Sequence, residues 1–229
     1  MSNSIISQLV RKDFLMMRKT IMIFCLISLL AILIVSMLFG RVPGWAFINL
    51  GFTLLIAPAF TCAIVVLMRT IVMEKEKSTQ IFIMSLPITV KEFTLSKLLI
   101  NLPLFFALWL VITMVAFYFA FGLGVFPYGS IPFITMIFLG IFVAYISTLC
   151  AGLIYQSISV TILAMCGFEL GTPAYLWIIT FWEPINSHVY GPHMVWNSAA
   201  ITIVATQIFA AISMVLMTIY IQHKKQDFI

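Results

Sequence analysis

The chain has 229 residues, of which 63% are apolar and only 8% charged, and its mean hydropathy is +1.19. A soluble domain keeps about a quarter of its residues charged, so a water-soluble globular protein is excluded. The net charge of +5 does not point to nucleic acid, because the lysines and arginines flank long apolar runs, where anionic lipid headgroups account for them. Cys25, Cys62, Cys150 and Cys166 fall inside those runs with neither disulfide nor metal-site spacing, and are read as small apolar packing residues.

In chain order, Ile6, Leu9, Val10, Phe14 and Met17 recur at helical spacing among Arg11, Lys12, Arg18 and Lys19. This predicts an amphipathic helix over 2–19, lying in the membrane interface and leading into the first span. The apolar run that follows is too long for the core of a cleavable signal peptide. Six runs, at about 20–39, 46–68, 98–121, 132–154, 158–181 and 199–221, are each long enough for a hydrocarbon core of about 30 Å. The short alternating strands of a membrane barrel are missing. The expected fold is therefore all-α and integral to the membrane, one transmembrane domain over 1–229 with six transmembrane helices. RVPG (41–44), GLGVFPYGS (122–130) and YQS (155–157) break the runs. EPINSHVYGPHMVWN (183–197) does so before the last span, and 182–198 is expected to form short helices dipping back into the outer leaflet.

Eleven of the twelve basic residues lie on one side of this arrangement and only Arg41 on the other. The positive-inside bias then puts both termini in the cytoplasm, with Trp45, Tyr128, Trp177, Trp182, Tyr190 and Trp196 near the outer interface.

Seven charges crowd into residues 72–98, VMEKEKSTQIFIMSLPITVKEFTLSKL. A charged helix extends the second span and stops at Ser85-Leu86-Pro87. Thr89 and Glu92 then form a capping box that starts a new helix running through Lys97. The stretch 69–97 thus reads as a helix–break–helix elbow at the inner membrane face. Its alternating apolar and charged residues suit a protein partner, or else packing against its own membrane domain or lying flat in the headgroups.

Glu74, Glu76, Ser78, Thr79, Ser85, Leu86, Pro87, Thr89, Glu92 and Lys97 together resemble a phrase of type-2 ABC exporter permeases, "E-x-G-T … L-x-S-L-P-(I/V)-(S/T)-x-x-E-(F/Y/I)-x-x-x-K". Ser78 departs from it, since glycine is common there. The basic amphipathic N-terminal segment, six spans and basic tail extend the likeness over the whole chain. The resemblance implies that this segment is the coupling helix that docks on a separate ABC ATPase subunit, with Glu74, Glu76, Lys77, Ser85, Leu86, Pro87, Thr89, Glu92 and Lys97 at the interface. It also implies two ATPase copies, which bind the ATP and Mg, and a second permease subunit, here expected as a homodimer. The chain has no phosphate-loop signature of its own and is not expected to be an enzyme. The expected setting is a prokaryotic inner membrane.

Within the spans, Asn101 and Gln207 are large enough to bond across helices, and Glu169 is an ionisable group near mid-span. Glu169 reads either as a pathway residue that meets a cationic part of a cargo, or as a neutralised group beside a helix kink. No row of charges marks an ion path, so a hydrophobic or amphipathic cargo (peptide, lipid or drug-like) is expected. His188, His193 and Glu183 are read as surface groups rather than a metal site. Two other readings stay open: a proton-coupled secondary transporter using Glu169, and a membrane anchor for an ATPase.

Overall fold

The computed structural model describes residues 2–76 and 88–224, and it is 89% helical with no strand among the described residues. Six helices are long and apolar enough to cross a bilayer, so the chain is a multi-pass membrane protein. Helix α1 spans Ser2–Leu38, and α2 (Gly44–Leu67) continues through a π-helical turn, Met68–Val72, into the short α3 (Met73–Glu76). After the undescribed segment come α4 (Val90–Phe117) with a π-helical turn at Tyr118–Gly122, α5 (Ile131–Tyr155) and α6 (Ile158–Phe181). The seven-residue α7 (Glu183–Val189) and α8 (Ser198–Lys224) complete the fold.

The punctuation follows from local chemistry. Between α1 and α2, Gly40 takes a left-handed φ of +71°, and Pro43 stands at the N-cap of α2. Between α5 and α6 the reversal is carried by Gln156 at φ +47°, whose N–H bonds to the carbonyl of Gly152. At the end opposite the basic residues, α7 folds back onto the 3-10 turn Tyr128–Ser130. The Gly129 N–H donates to Gly191 O at 3.0 Å. A Cβ on Gly129 would lie 2.2 Å from the carbonyl oxygen of His188, so the close approach needs a glycine.

Helices α1, α2 and α4 pack together as one half of the bundle, and α5, α6 and α8 as the other, with α4 touching both α5 and α8. Lipid tails are as apolar as leucine, so the hydrophobic effect does little to hold such helices together; close packing and buried polar bonds do more. Phe105 of α4 lies 3.8 Å, centroid to centroid, from Tyr145 of α5, and Leu67, Ile71 and Leu149 close the core around them. The Trp109 indole donates to Phe138 O at 2.9 Å, again from α4 to α5. Gln207 bonds across helices as expected, from α8 to Met136 O at 3.0 Å and to the Tyr175 hydroxyl at 2.9 Å. Of their spanning windows, α5 has 61% buried and α6 only 6%, which places α5 at the centre and α6 at the rim.

The N-terminal segment runs without a break into the first span: α1 is continuous over 37 residues, about 55 Å. No glycine or proline interrupts 2–38, and Leu9, Asp13 and Met17, spaced by four, are all buried. That face of α1 packs against its neighbours.

Candidate functional site

A bilayer core takes about 20 helical residues, and three helices exceed that together. Helix α1 has 37 residues, the run Val90–Gly122 has 33, and α2 with its π turn and α3 is uninterrupted from Gly44 to Glu76. The tight α1–α2 turn levels their far ends. The surplus therefore projects at the basic end, by about 15 Å or more at 1.5 Å per residue. Arg18, Lys19 and Arg69 stand roughly where the hydrocarbon would stop, and Arg69 donates to the Thr20 hydroxyl at 3.1 Å, tying α2's extension to α1.

Inside this three-helix stalk four charges meet. Lys97 of α4 lies 2.7 Å from Asp13 Oδ2 and 2.6 Å from Glu74 Oε2, and Lys12 lies 2.7 Å from Glu74 Oε1 and 3.2 Å from Asp13 Oδ1. The Asp13 and Lys97 side chains are 0% and 1% exposed, whereas Lys12 is 42% exposed. The contacts at Asp13 Oδ1 and Glu74 Oε2 are close ion pairs without hydrogen-bond alignment. The quartet sums to zero charge, which makes its burial tolerable: removing one member of such a buried set costs about 3–5 kcal/mol. The Lys97 ammonium also lies 5.0 Å from the centroid of the Phe93 ring.

One turn further along α4, Asn101 donates to Thr70 Oγ1 at 3.2 Å and to Lys97 O at 2.9 Å, while the Tyr145 hydroxyl lies 3.5 Å from Asn101 O. A buried polar column thus runs from the stalk to the central helix α5. Asn101 bonds across helices, as its size and polarity led one to expect.

The elbow residues divide into three groups. Thr89 and Glu92 form the expected capping box: the Thr89 N–H donates to Glu92 Oε2 at 3.0 Å, and Glu92 N–H to Thr89 Oγ1 at 3.3 Å. Glu74 and Lys97 turn inward into the ion quartet, being 6% and 1% exposed, and do not present their charge to an outside surface. Lys77, Ser85, Leu86 and Pro87 lie outside the described residues, as does the side chain of Glu76, whose backbone ends α3. Sequence reasoning missed Asp13. Its signal was a lone carboxylate within the Leu9–Asp13–Met17 stripe, which only an interior partner could satisfy.

Glu169 is set apart from the stalk. It lies near the middle of α6, exposed, with no hydrogen bond or ion pair to any described residue. Held against lipid in its ionised form, a carboxylate there costs at least about 2.5–3.5 kcal/mol. Cys166, Gly167 and Gly171 share α6's exposure, and all four cysteines are free thiols. At the far end, Asn197 caps α8 through Oδ1 accepting from Ala200 N–H at 2.8 Å, and His188 bonds its neighbour Ser187. Among the described residues no three His, Cys, Asp or Glu side chains converge as metal ligands.

No family model, curated protein or solved structure matches the chain.

Proposed function

We propose that the chain is the transmembrane permease subunit of an ATP-driven ABC exporter, moving a hydrophobic or amphipathic cargo out of the cytoplasm or the inner leaflet. A separate ATPase, two copies per complex, docks on the elbow 69–97 and binds ATP and Mg. A second permease, a copy of this chain, completes the membrane part. The reading rests on the motif from Glu74 to Lys97 and on one observation above all. Three over-length helices are pinned to one another by a buried ion quartet, and the helices that flank the undescribed segment, α3 and α4, belong to that stalk. A push on the elbow is then shared by α1, α2 and α4 and reaches α5 through Asn101 and Tyr145, as a rigid-body displacement requires. The setting proposed is the inner membrane of a prokaryote, and the lopsided distribution of lysine and arginine supports a cytoplasmic stalk.

The test is co-purification of the chain from its native membrane with an ABC ATPase, followed by ATP hydrolysis by the two reconstituted in proteoliposomes. ATP turnover at least several-fold above that of the ATPase alone, unchanged when a proton gradient is collapsed, supports the exporter. Turnover indifferent to the permease contradicts it, and transport that follows the proton gradient without ATP favours a secondary transporter built on Glu169.

A further inference from the structure

An apolar cavity of about 420 Å³ lies between α2, the end of α4, α5 and α6, in the half of the bundle away from the basic end. Six phenylalanines line it, no charged residue does, and Thr180 and Phe52 stand exposed at its rim on α6 and α2. A cavity of this size and apolarity is within the range of small-molecule sites.

Glu169 lies outside the cavity's lining but on the same face of α6. Leu176 and Thr180 line the cavity; they follow Glu169 by seven and eleven residues, so all three share one face of α6 within about 20°. Along the axis Glu169 stands about 10 Å from Leu176. Pro173 falls four residues after Glu169 inside the helix and has no N–H, so the Glu169 carbonyl loses its regular helical donor. A carboxylate and an adjacent free carbonyl therefore offer acceptors at the same place.

The chain supplies nothing to meet them. From Leu98 to Ser187 there is no lysine, arginine or histidine. The membrane portions of the other spans are likewise without a basic side chain, so a second copy of the chain brings none either. An ionised Glu169 therefore takes its countercharge from outside the polypeptide.

We infer that this cleft is a binding site for an amphipathic cation, with the apolar part in the phenylalanine-lined cavity and the ammonium group at Glu169. The inference names the cargo class of the exporter proposed above and rests on that reading for the direction of movement only. An ionised carboxylate accepts and does not donate, so an alkylammonium fits, an alkyl sulfate is repelled, and an uncharged alcohol of equal length gains the cavity but not the charge.

The test is equilibrium binding to the full-length chain in zwitterionic nanodiscs, without any ATPase, so that it can fail while the exporter reading stands. Radiolabelled dodecylamine, protonated at pH 7, is measured above empty nanodiscs and competed with dodecanol and dodecyl sulfate. Glu169→Gln is expected to weaken dodecylamine at least tenfold and leave dodecanol unchanged, and Glu169→Asp to stay within a few-fold of the parent. Thr180→Trp, at an exposed rim position that needs no core space, is expected to weaken amine and alcohol alike. Dodecylamine binding that is unchanged in Glu169→Gln, as a permanently protonated Glu169 would give, overturns the inference. So does dodecyl sulfate competing as well as the amine.

Discussion

Asp13 and Lys97 sit 84 positions apart in sequence and 2.7 Å apart in space, on α1 and α4. Because each is almost wholly buried, the loss of one strands the other. Asp13→Leu is expected to destabilise the protein by about 3–5 kcal/mol. The double variant Asp13→Leu/Lys97→Leu leaves Lys12 paired with Glu74 and restores neutrality. Its cost should fall short of the sum of the singles by about 0.5–3 kcal/mol. Denaturant unfolding of the four proteins in detergent measures this coupling, and strict additivity would remove the quartet from the account. At the far end, Gly129→Ala forces a methyl into the carbonyls of His188 and Gly191. A loss of about 1–3 kcal/mol is expected in the same assay.

At the scale of the element, the helix starts, stops and most spans were legible because they depend on local chemistry. Thr89 and Glu92 announce the start of α4 by their spacing, and the capping box is there. Thr89→Ala should cost about 0.5–2 kcal/mol and speed hydrogen exchange at Lys91 and Glu92 ahead of the rest of α4. Uniform protection across that helix would contradict this. The packing of the start of α1 was not legible. The amphipathic stripe of 6–17 fits equally well an interface and a packed stalk, and the choice falls to partners on α3 and α4. Glu74 and Lys97 illustrate the same limit. A charged residue in a charged segment reads as surface until the fold brings a countercharge to it. The polar column was partly visible, since Asn101 and Gln207 had to bond something in a span, but their partners were set by tertiary packing.

For the whole molecule, burial is unevenly shared: α5 is enclosed by its neighbours and α6 is nearly bare. In the homodimer proposed above, the exposed α6 is where a copy is expected to pack, with Gly167 and Gly171 four residues apart on one face and Cys166 about 100° round the helix from Gly167. Small residues there let two backbones approach closely. Cys166 then serves as a reporter. Mild oxidation in native membranes is expected to give a dimer-sized band that Cys166→Ser abolishes and Cys25→Ser leaves intact. A chain that stays monomer-sized under conditions that oxidise exposed thiols would move the dimer contact elsewhere. The cleft beside α6 was invisible in the sequence as a site, because its four walls come from residues 47 to 180. Only Glu169, without a basic residue anywhere near it in sequence, hinted that something was missing.

The account turns on what touches the elbow. A photoreactive amino acid placed in turn at Ser85, Pro87 and Lys91, irradiated in cells of the native host, reads this out directly by mass spectrometry of the adducts. The account predicts covalent capture of an ABC ATPase from these positions, and none from a control position such as Leu163 on α6, which is exposed. Adducts with phospholipid alone at all three elbow positions would contradict it.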